Sequence, residues 1–253
     1  MTRIESVLEE FCHKPVEHGG EKCLRIKEHD GACSHRQDAE EPPLDRRLLI
    51  LEYATETPYV CVNLVSAPIL SVLIPCVPSR REQAWALFDK LSAQAEGLDV
   101  EVLLLLDNKT RTAGKKREAL VQASRGEYVA FVDDDDDVAE DYVSAILAAL
   151  DDDDPDVIVF NSQATINSAP PVLCLHDLTF PNEQYNPAGF RRAPWQMHAW
   201  RGDLARATPF PDVSNAEDWP WCEAMLKHVK TQAKIDRVLY HYRYDDAKTE
   251  ASK

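Results

Sequence analysis

Glycine is scarce here, with only eight in 253 residues. None is arranged as Gly-x-Gly-x-x-Gly or as Gly-x4-Gly-Lys-Ser/Thr, so a dinucleotide enzyme or a P-loop NTPase is disfavoured. Uninterrupted apolar sequence is also lacking. The longest stretch, residues 60–77, is broken by Asn63, Pro68 and Pro75 and reads as two strands with a break, not as a membrane span. Positive charge is in deficit: 28 Lys and Arg face 44 Asp and Glu, for a net charge of −16. That field would repel a polyanion and argues against nonspecific binding to a phosphate backbone, although a local basic patch remains compatible with it. The seven cysteines, Cys12, Cys23, Cys33, Cys61, Cys76, Cys174 and Cys222, are odd in number and scattered, unlike a small disulfide scaffold. The start, Met-Thr-Arg-Ile-Glu-Ser, has no apolar core followed by a cleavage site. Both features fit a protein of the reducing cytoplasm.

The length suits one α/β domain of about 180 residues plus an appendage. Residues 1–47 are polar, punctuated by Gly19-Gly20, Gly31 and Pro42-Pro43, and read as an N-terminal extension. Their Cys12, His13, Cys23, Cys33 and His35 fit no standard zinc spacing and read as incidental. From Leu48 the texture changes. Residues 48–51 (LLIL) and 59–62 (YVCV) are strand candidates extending the sheet of a domain spanning 48–253. Residues 70–75 (LSVLIP) form a buried-type strand, and Ser79-Arg80-Arg81-Glu82 reads as a capping box opening a helix that carries Trp85, Leu87, Phe88 and Leu91 and ends at Gly97. Residues 100–106 make a second strand, 113–124 a helix, and 128–132 a third strand. A helix with Tyr142, Val143, Ile146, Leu147 and Leu150 precedes a fourth strand at 157–160. Strands alternating with helices predict a mostly parallel sheet covered on both faces.

Ligands of such sheets bind at the carboxyl ends of the strands. Residues 75–81, 107–116 and the run Asp133-Asp134-Asp135-Asp136-Asp137 converge there. Five successive carboxylates repel one another unless cations or protons intervene. In an extended segment Asp133 and Asp135 would project to one side and address one ligand. Oxygen ligands of this kind suit Mn²⁺ or Mg²⁺. The plainer alternative is a solvated turn ahead of the next helix, and the run Asp151-Asp152-Asp153-Asp154 is read that way.

The segment Gly126-Glu127-Tyr128-Val129-Ala130-Phe131-Val132-Asp133-Asp134-Asp135-Asp136 resembles the "A-x-G-[DE]-Y-[IV]-x-[FY]-[LV]-D-x-D-D" signature of family-2 glycosyltransferases with the GT-A fold. Residues 71–75 (SVLIP) and 101–108 (EVLLLLDN) are similar to that family's opening two strands, in the same order and spacing, over roughly residues 69–160. The resemblance implies a Rossmann-like GT-A domain, with 69–160 binding a nucleotide diphosphate-sugar donor and 161–253 holding the acceptor and the base. It assigns Pro75, Asp107, Asn108, Lys116, Arg117, Asp133, Asp134 and Asp136 to the nucleotide-sugar, with Asp107 or Asn108 at the base. Asp135 becomes the main metal ligand, joined by Asp133 and by His241 on a late strand. Glu118 stands where the family often has Asn after Arg. The pair Glu217-Asp218, ahead of a helix with Trp221, Met225 and Leu226, resembles the family's acidic element whose Asp is the catalytic base; the alternative is that both residues cap the helix.

Trp195, His198 and Trp200 are candidates for an acceptor floor, since aromatic rings stack on sugars and bases. Arg191, Arg192 and Arg201 are candidates to meet phosphate. The implied reaction is metal-dependent, inverting sugar transfer to a polysaccharide, a protein or a modified DNA base. A nucleotidyltransferase of similar fold and an inactive nucleotide-sugar-binding module are the rivals. Phe210-Pro211-Asp212 ahead of Glu217-Asp218, and the later Leu239-Tyr240-His241-Tyr242, are similar to short bacteriophage-encoded glycosyltransferases. The composition change at Leu48 predicts that a chain lacking residues 1–40 folds and keeps nucleotide-sugar hydrolysis. An unfolded truncation, seen by circular dichroism, would assign that segment to the core.

Overall fold

The computed structural model describes residues 48–52, 59–63, 65–107, 109–150 and 154–246. The expected extension with its Cys and His residues, Asn108, and Asp151 to Asp153 lie outside these. Three strands expected from sequence form the parallel centre of the sheet. β3 (Leu70–Cys76) pairs with β4 (Val100–Leu106) on one side and with β5 (Tyr128–Phe131) on the other, both in parallel. Almost all of their residues are buried, as the unbroken apolar runs of a doubly covered sheet demand. β1 (Leu48–Glu52) and β2 (Tyr59–Asn63) extend the sheet beyond β4 as an antiparallel pair.

Helix α1 (Arg81–Gln94) joins β3 to β4, and α2 (Ala113–Ala123) leads into β5. The capping box does not form. Pro78–Arg80 instead makes one 3-10 turn, with proline's fixed φ at its start, and Arg80 becomes the N-cap of α1 without a side-chain cap. Ser79 therefore lies inside a turn and not at a helix entrance. Trp85, Leu87, Phe88 and Leu91 are buried as expected.

After the two-residue β6 (Asp137–Val138) and α3 (Tyr142–Ala148), β7 runs from Val157 to Ile166, well past the expected Phe160. It does not lie beside β5. A short strand, β10 (Ala199–Arg201), pairs antiparallel with both and fills the gap between them. β8 (Val172–His176) pairs antiparallel with β7 and parallel with β9 (Phe190–Arg192). The last strand, β11 (Gln232–Tyr244), runs parallel to β7 with two register shifts and also pairs with β6.

Helices α4 (Gly202–Ala207) and α5 (Asp218–Leu226) complete the fold. One cluster joins alternate strand residues Leu73, Leu103, Leu105, Val129 and Phe131 to Leu120, Val121, Phe210 and Trp221. The Trp221 ring is stacked on Phe210 at 4.6 Å and meets Phe131 and Trp200 edge-on. Such ring pairs add about 0.5–1.5 kcal/mol each beyond area burial. Among the described residues no helix is long and apolar enough to cross a membrane.

Glu101 is the exception in β4, a carboxylate with no exposed surface. Ser71 Oγ donates to it at 2.7 Å, as do the Arg125 backbone N–H at 2.7 Å and the guanidinium Nη2 at 2.7 Å. Ser71 Oγ in turn accepts the Gly126 N–H at 2.8 Å. A Cβ on Gly126 would lie 2.6 Å from both Ser71 N and Ser71 Oγ. Gly126→Ala should therefore destabilise the fold by about 1–3 kcal/mol, lowering Tm by about 2–4 °C per kcal/mol. An unchanged melting curve in calorimetry would refute this close packing.

Candidate functional site

The carboxyl ends of β3, β4 and β5 bring together the three polar segments singled out in the sequence. Thr112 caps α2 by accepting the Lys115 N–H at 3.1 Å, and the helix then turns Lys116 and Arg117 inward. The expected basic pair is thus buried and not a solvated face. Lys116 Nζ donates to the Cys76 carbonyl at 2.6 Å and lies 3.0 Å from Asp107 Oδ1. Asp107 is wholly buried; its Oδ1 also accepts the Lys109 N–H, while Oδ2 has no partner. Pro75 stands opposite Leu105, one residue before the end of β3. Glu118, the departure from the family pattern, accepts the Phe210 N–H at 2.9 Å and so anchors the approach to α5.

The acidic run does not continue as a strand. The Asp136 N–H donates to the Asp133 carbonyl at 3.0 Å, closing a tight turn, so strict alternation gives way to divergence. Asp133 pairs with Arg117 Nη2 at 2.8 Å. Asp134 folds back to accept the Val77 N–H at 3.0 Å and Arg80 Nη1 at 2.8 Å, and Asp135 meets the same Arg80 at 2.9 Å. Asp137 pairs with Lys90 and Arg243. Asp136, assigned above to the nucleotide-sugar, is buried. Both its oxygens are held by β11, Oδ2 by the Tyr240 hydroxyl at 2.6 Å and Oδ1 by the Arg243 N–H at 2.7 Å. Tyr240 Oη also accepts the Asp133 N–H at 3.2 Å, so one buried hydroxyl ties both ends of the turn.

Burial, with Asp133 and Asp135 adding repulsion, pushes the Asp136 carboxyl well above the usual range. Burial likewise raises Asp135 to about 6, with Asp133 and Asp134 acting in the same sense against Arg80. Asp134 is also raised, chiefly by burial. Burial and mutual repulsion thus outweigh the ion pairs and hydrogen bonds at these three carboxyls and favour their neutral forms.

His241 is not brought to this turn. It pairs with Asp137 in the β11–β6 register, and its charged neighbours are Asp137, Arg243 and Lys90. The period of two puts Tyr240 and Tyr242 on the other face of β11, toward Asp133 and Asp136. The repeated Tyr-x-Tyr-x-Tyr of 240–244 was the signal for this face. Among the described residues no three His, Cys, Asp or Glu side chains converge on a metal-sized point. Asp133 and Asp135 remain as a carboxylate pair. Such a pair suits Mg²⁺ or Mn²⁺, which complete their shells with water and substrate phosphates, and does not suit a closed zinc site.

Arg117 joins this turn to the second acidic element. Its Nε donates to Glu217 at 2.9 Å while Nη2 holds Asp133, and the guanidinium lies 5.1 Å from the Phe131 ring centroid. Burial works against its charge, but Asp133, Glu217 and Asp218 outweigh it and the protonated form is strengthened. Glu217 is buried in this pair, a role distinct from the expected catalytic one. Asp218 opens α5 and accepts Trp195 Nε1 at 2.9 Å. Just before them, Ala216 adopts φ 57°, a left-handed conformation costing about 1–2 kcal/mol in a non-glycine residue.

Asp133 and Asp218 share the wall of a cavity of about 620 Å³. Trp195 lines it, stacked on Trp219 at 5.1 Å. His198 and Trp200 do not line it; both are fully buried. His198 bridges the Trp195 backbone and the Phe160 carbonyl, and Trp200 Nε1 donates to the Trp195 carbonyl. They shape the Trp195 loop from beneath. Of the three candidate arginines, Arg191 pairs with Glu183 and Arg201 with Asp154, while Arg192 enters the cavity wall.

Burial holds His198 down to about 4, below the ordinary value near 6.5. The folded state therefore refuses a proton that the unfolded chain takes up. His198's contribution is whole above pH 6.5 and is lost as pH falls toward 4, at about 1.4 kcal/mol per pH unit. Chemical denaturation between pH 7 and pH 4 should show a shallower loss for His198→Gln than for the parent chain. Equal slopes would contradict a buried neutral imidazole.

Residues 79–172 match the family model described as Glycosyl transferase family 2. That span is less than half of the chain; it holds Arg117 and the Asp133–Asp136 turn and ends before Asp218. None of the curated proteins matches the chain. Among solved structures the chain is similar to S. aureus TarS 1–349 in complex with UDP-GlcNAc, at 16% identity over 73% of this chain and 61% of that one, with TM-score 0.52. It is also similar to S. aureus TarS, at 15% identity over 69% of this chain and 36% of that one, with TM-score 0.49. The chain therefore spans between about a third and three fifths of the length of those structures. With its parallel centre flanked by helices, the fold is the GT-A type expected from the sequence, and residues 79–172 are similar to glycosyl transferase family 2.

Proposed function

We propose that this chain transfers a sugar from a nucleoside diphosphate-sugar to an acceptor hydroxyl with inversion at the anomeric carbon, assisted by Mn²⁺ or Mg²⁺. One observation carries the reading: Arg117 fastens the acidic turn and the Glu217-Asp218 element together, so that Asp133 and Asp218 face one cavity. The UDP-GlcNAc bound by TarS supports a donor of this class.

The nucleotide is assigned to the ends of β3 and β4. There the unpartnered Asp107 Oδ2 offers an acceptor to a base N–H, and Lys116 holds the other oxygen of that carboxylate in place. Asp133 and Asp135 would hold the divalent ion, whose chemistry is to neutralise the departing diphosphate. Arg80 and Arg117 now lie on those carboxylates and are near enough to meet donor phosphates.

Asp218 takes the proton of the acceptor hydroxyl. As the oxygen attacks the anomeric carbon, a C–O bond forms on one face and the C–O bond to diphosphate breaks on the other, the electron pair leaving with the phosphate oxygen. Trp195 Nε1 orients the Asp218 carboxylate at the first residue of α5. Glu217 acts through Arg117 as a positioning residue.

Calorimetry should find UDP binding that depends on Mn²⁺ and is lost in Asp135→Ala; equal affinity in EDTA would sink the metal assignment. Asp218→Asn should keep donor binding while transfer falls about 100-fold or more. Near-normal turnover in that variant would end the base assignment. Tight donor binding by the parent chain, with no transfer to any acceptor, would favour an inactive binding module.

A further inference from the structure

The cavity extends away from Asp133 and Asp218 toward β8 and β9, and its far wall has a charge that nothing in the donor chemistry uses. Arg191 and Arg192 are adjacent in sequence but separate by the strand period. Arg191 turns outward, where its Nη2 meets Glu183 at 2.9 Å. Arg192 turns into the cavity. Its guanidinium carbon lies 3.9 Å from the centroid of the Trp195 ring, and its Nε is buried without a hydrogen-bond partner.

The isolation of this charge is unusual in the molecule. Acidic residues outnumber basic ones, 44 to 28, and the other arginines near the site are matched: Arg80 with Asp134 and Asp135, Arg117 with Asp133 and Glu217, Arg243 with Asp137. Among the described residues Arg192 has no carboxylate within ion-pair distance. Burial, with His198 and then Arg192 acting in the same sense, holds His176 well below its ordinary value, so the neighbouring histidine brings no second charge. His176 Nε2 instead shares a hydrogen bond with Ser162 Oγ at 3.0 Å, and both residues line the same wall. A half-buried guanidinium that lines a cavity with no carboxylate partner has the elements of an anion receptor, because a planar fork of N–H groups matches phosphate and carboxylate.

The position of the charge gives it meaning. Trp195 touches Arg192 through its ring and Asp218 through Nε1, so the cation and the candidate base flank a single indole. We propose that Arg192 and the Trp195 ring form an anion-binding subsite in this cavity, and that the acceptor is a polyhydroxylated molecule bearing a phosphate or carboxylate near the hydroxyl that is glycosylated. The subsite stands on the cavity geometry alone; its assignment to the acceptor rests on the transferase reading.

The quenching of tryptophan fluorescence by inorganic phosphate, by glucuronate and by glucose tests the subsite on the full chain, with UDP and Mn²⁺ present to fill the donor site. Phosphate or glucuronate should bind saturably and glucose weakly, the two anions showing which chemistry is preferred. Arg192→Gln should weaken anion binding about 10-fold or more, Arg192→Lys should restore part of it, and Arg191→Gln should leave it unchanged. Equal anion affinity in Arg192→Gln, or loss of affinity in Arg191→Gln alone, would overturn the subsite. Circular dichroism of each variant separates loss of the site from loss of the fold. Transfer to hexose 6-phosphate and to glucuronate should exceed transfer to the neutral hexose about 10-fold, and Arg192→Gln should erase that preference. Transfer equally good to all three would overturn the acceptor assignment. A parent chain that binds anions in an Arg192-dependent way but never binds UDP would refute the transferase reading and leave the subsite intact.

Discussion

The arrangement of the site depends on one buried guanidinium. Arg117 comes from α2, Asp133 from the end of β5 and Glu217 from the threshold of α5. Separately each would be a costly charge in an apolar surrounding, since breaking a buried pair by removing one partner costs about 3–5 kcal/mol. Together they lock three chain segments at one point, with the Phe131 ring beneath. The two acidic elements are far apart in sequence and meet because both need the same cation.

A second layer of restraint comes from the last strand. Tyr240 and the Arg243 N–H enclose Asp136, and the Tyr240 hydroxyl also takes the N–H of Asp133. Five neighbouring aspartates can then coexist, because each has its own partner: Arg117 for Asp133, Arg80 for Asp134 and Asp135, the last strand for Asp136, and Lys90 with Arg243 for Asp137.

Much of this was legible in the sequence because it follows from local periodicity. The strands at 70–76, 100–106 and 128–131 are apolar runs interrupted only by Ser71 and Glu101, as buried parallel strands with no solvent face require. The convergence of Lys116, Arg117, Asp107 and the acidic run follows from strand order. What escaped is non-local. The insertion of β10 between β5 and β7 has no signature in three residues, Ala199-Trp200-Arg201. His241 drew attention as a metal-type side chain, yet its register on β11 points it to Asp137. His198 and Trp200 stand next to Trp195 in a motif that looks like one surface, but only a loop that doubles back decides that one ring lines the cavity while the others lie beneath it. Arg192 was visible only as one of three arginines, and its unmatched charge becomes apparent when the partners of the other two are known.

The placement of β10 bears on how far the chain is divisible. Residues 69–160 carry the acidic turn and 161–253 carry Asp218 and most of the cavity wall. Mechanically they are one piece, because β10 belongs to the later half in sequence yet supplies the hydrogen bonds that close the gap between two strands of the earlier half. Expressed alone, the earlier half would present β5 and β7 as open edges, a template for intermolecular pairing. Gene fusion or fragment complementation within this fold would have to carry Trp195 to Arg201 with the earlier half, so the ring that holds Asp218 travels with the acidic turn and not with the rest of the cavity wall.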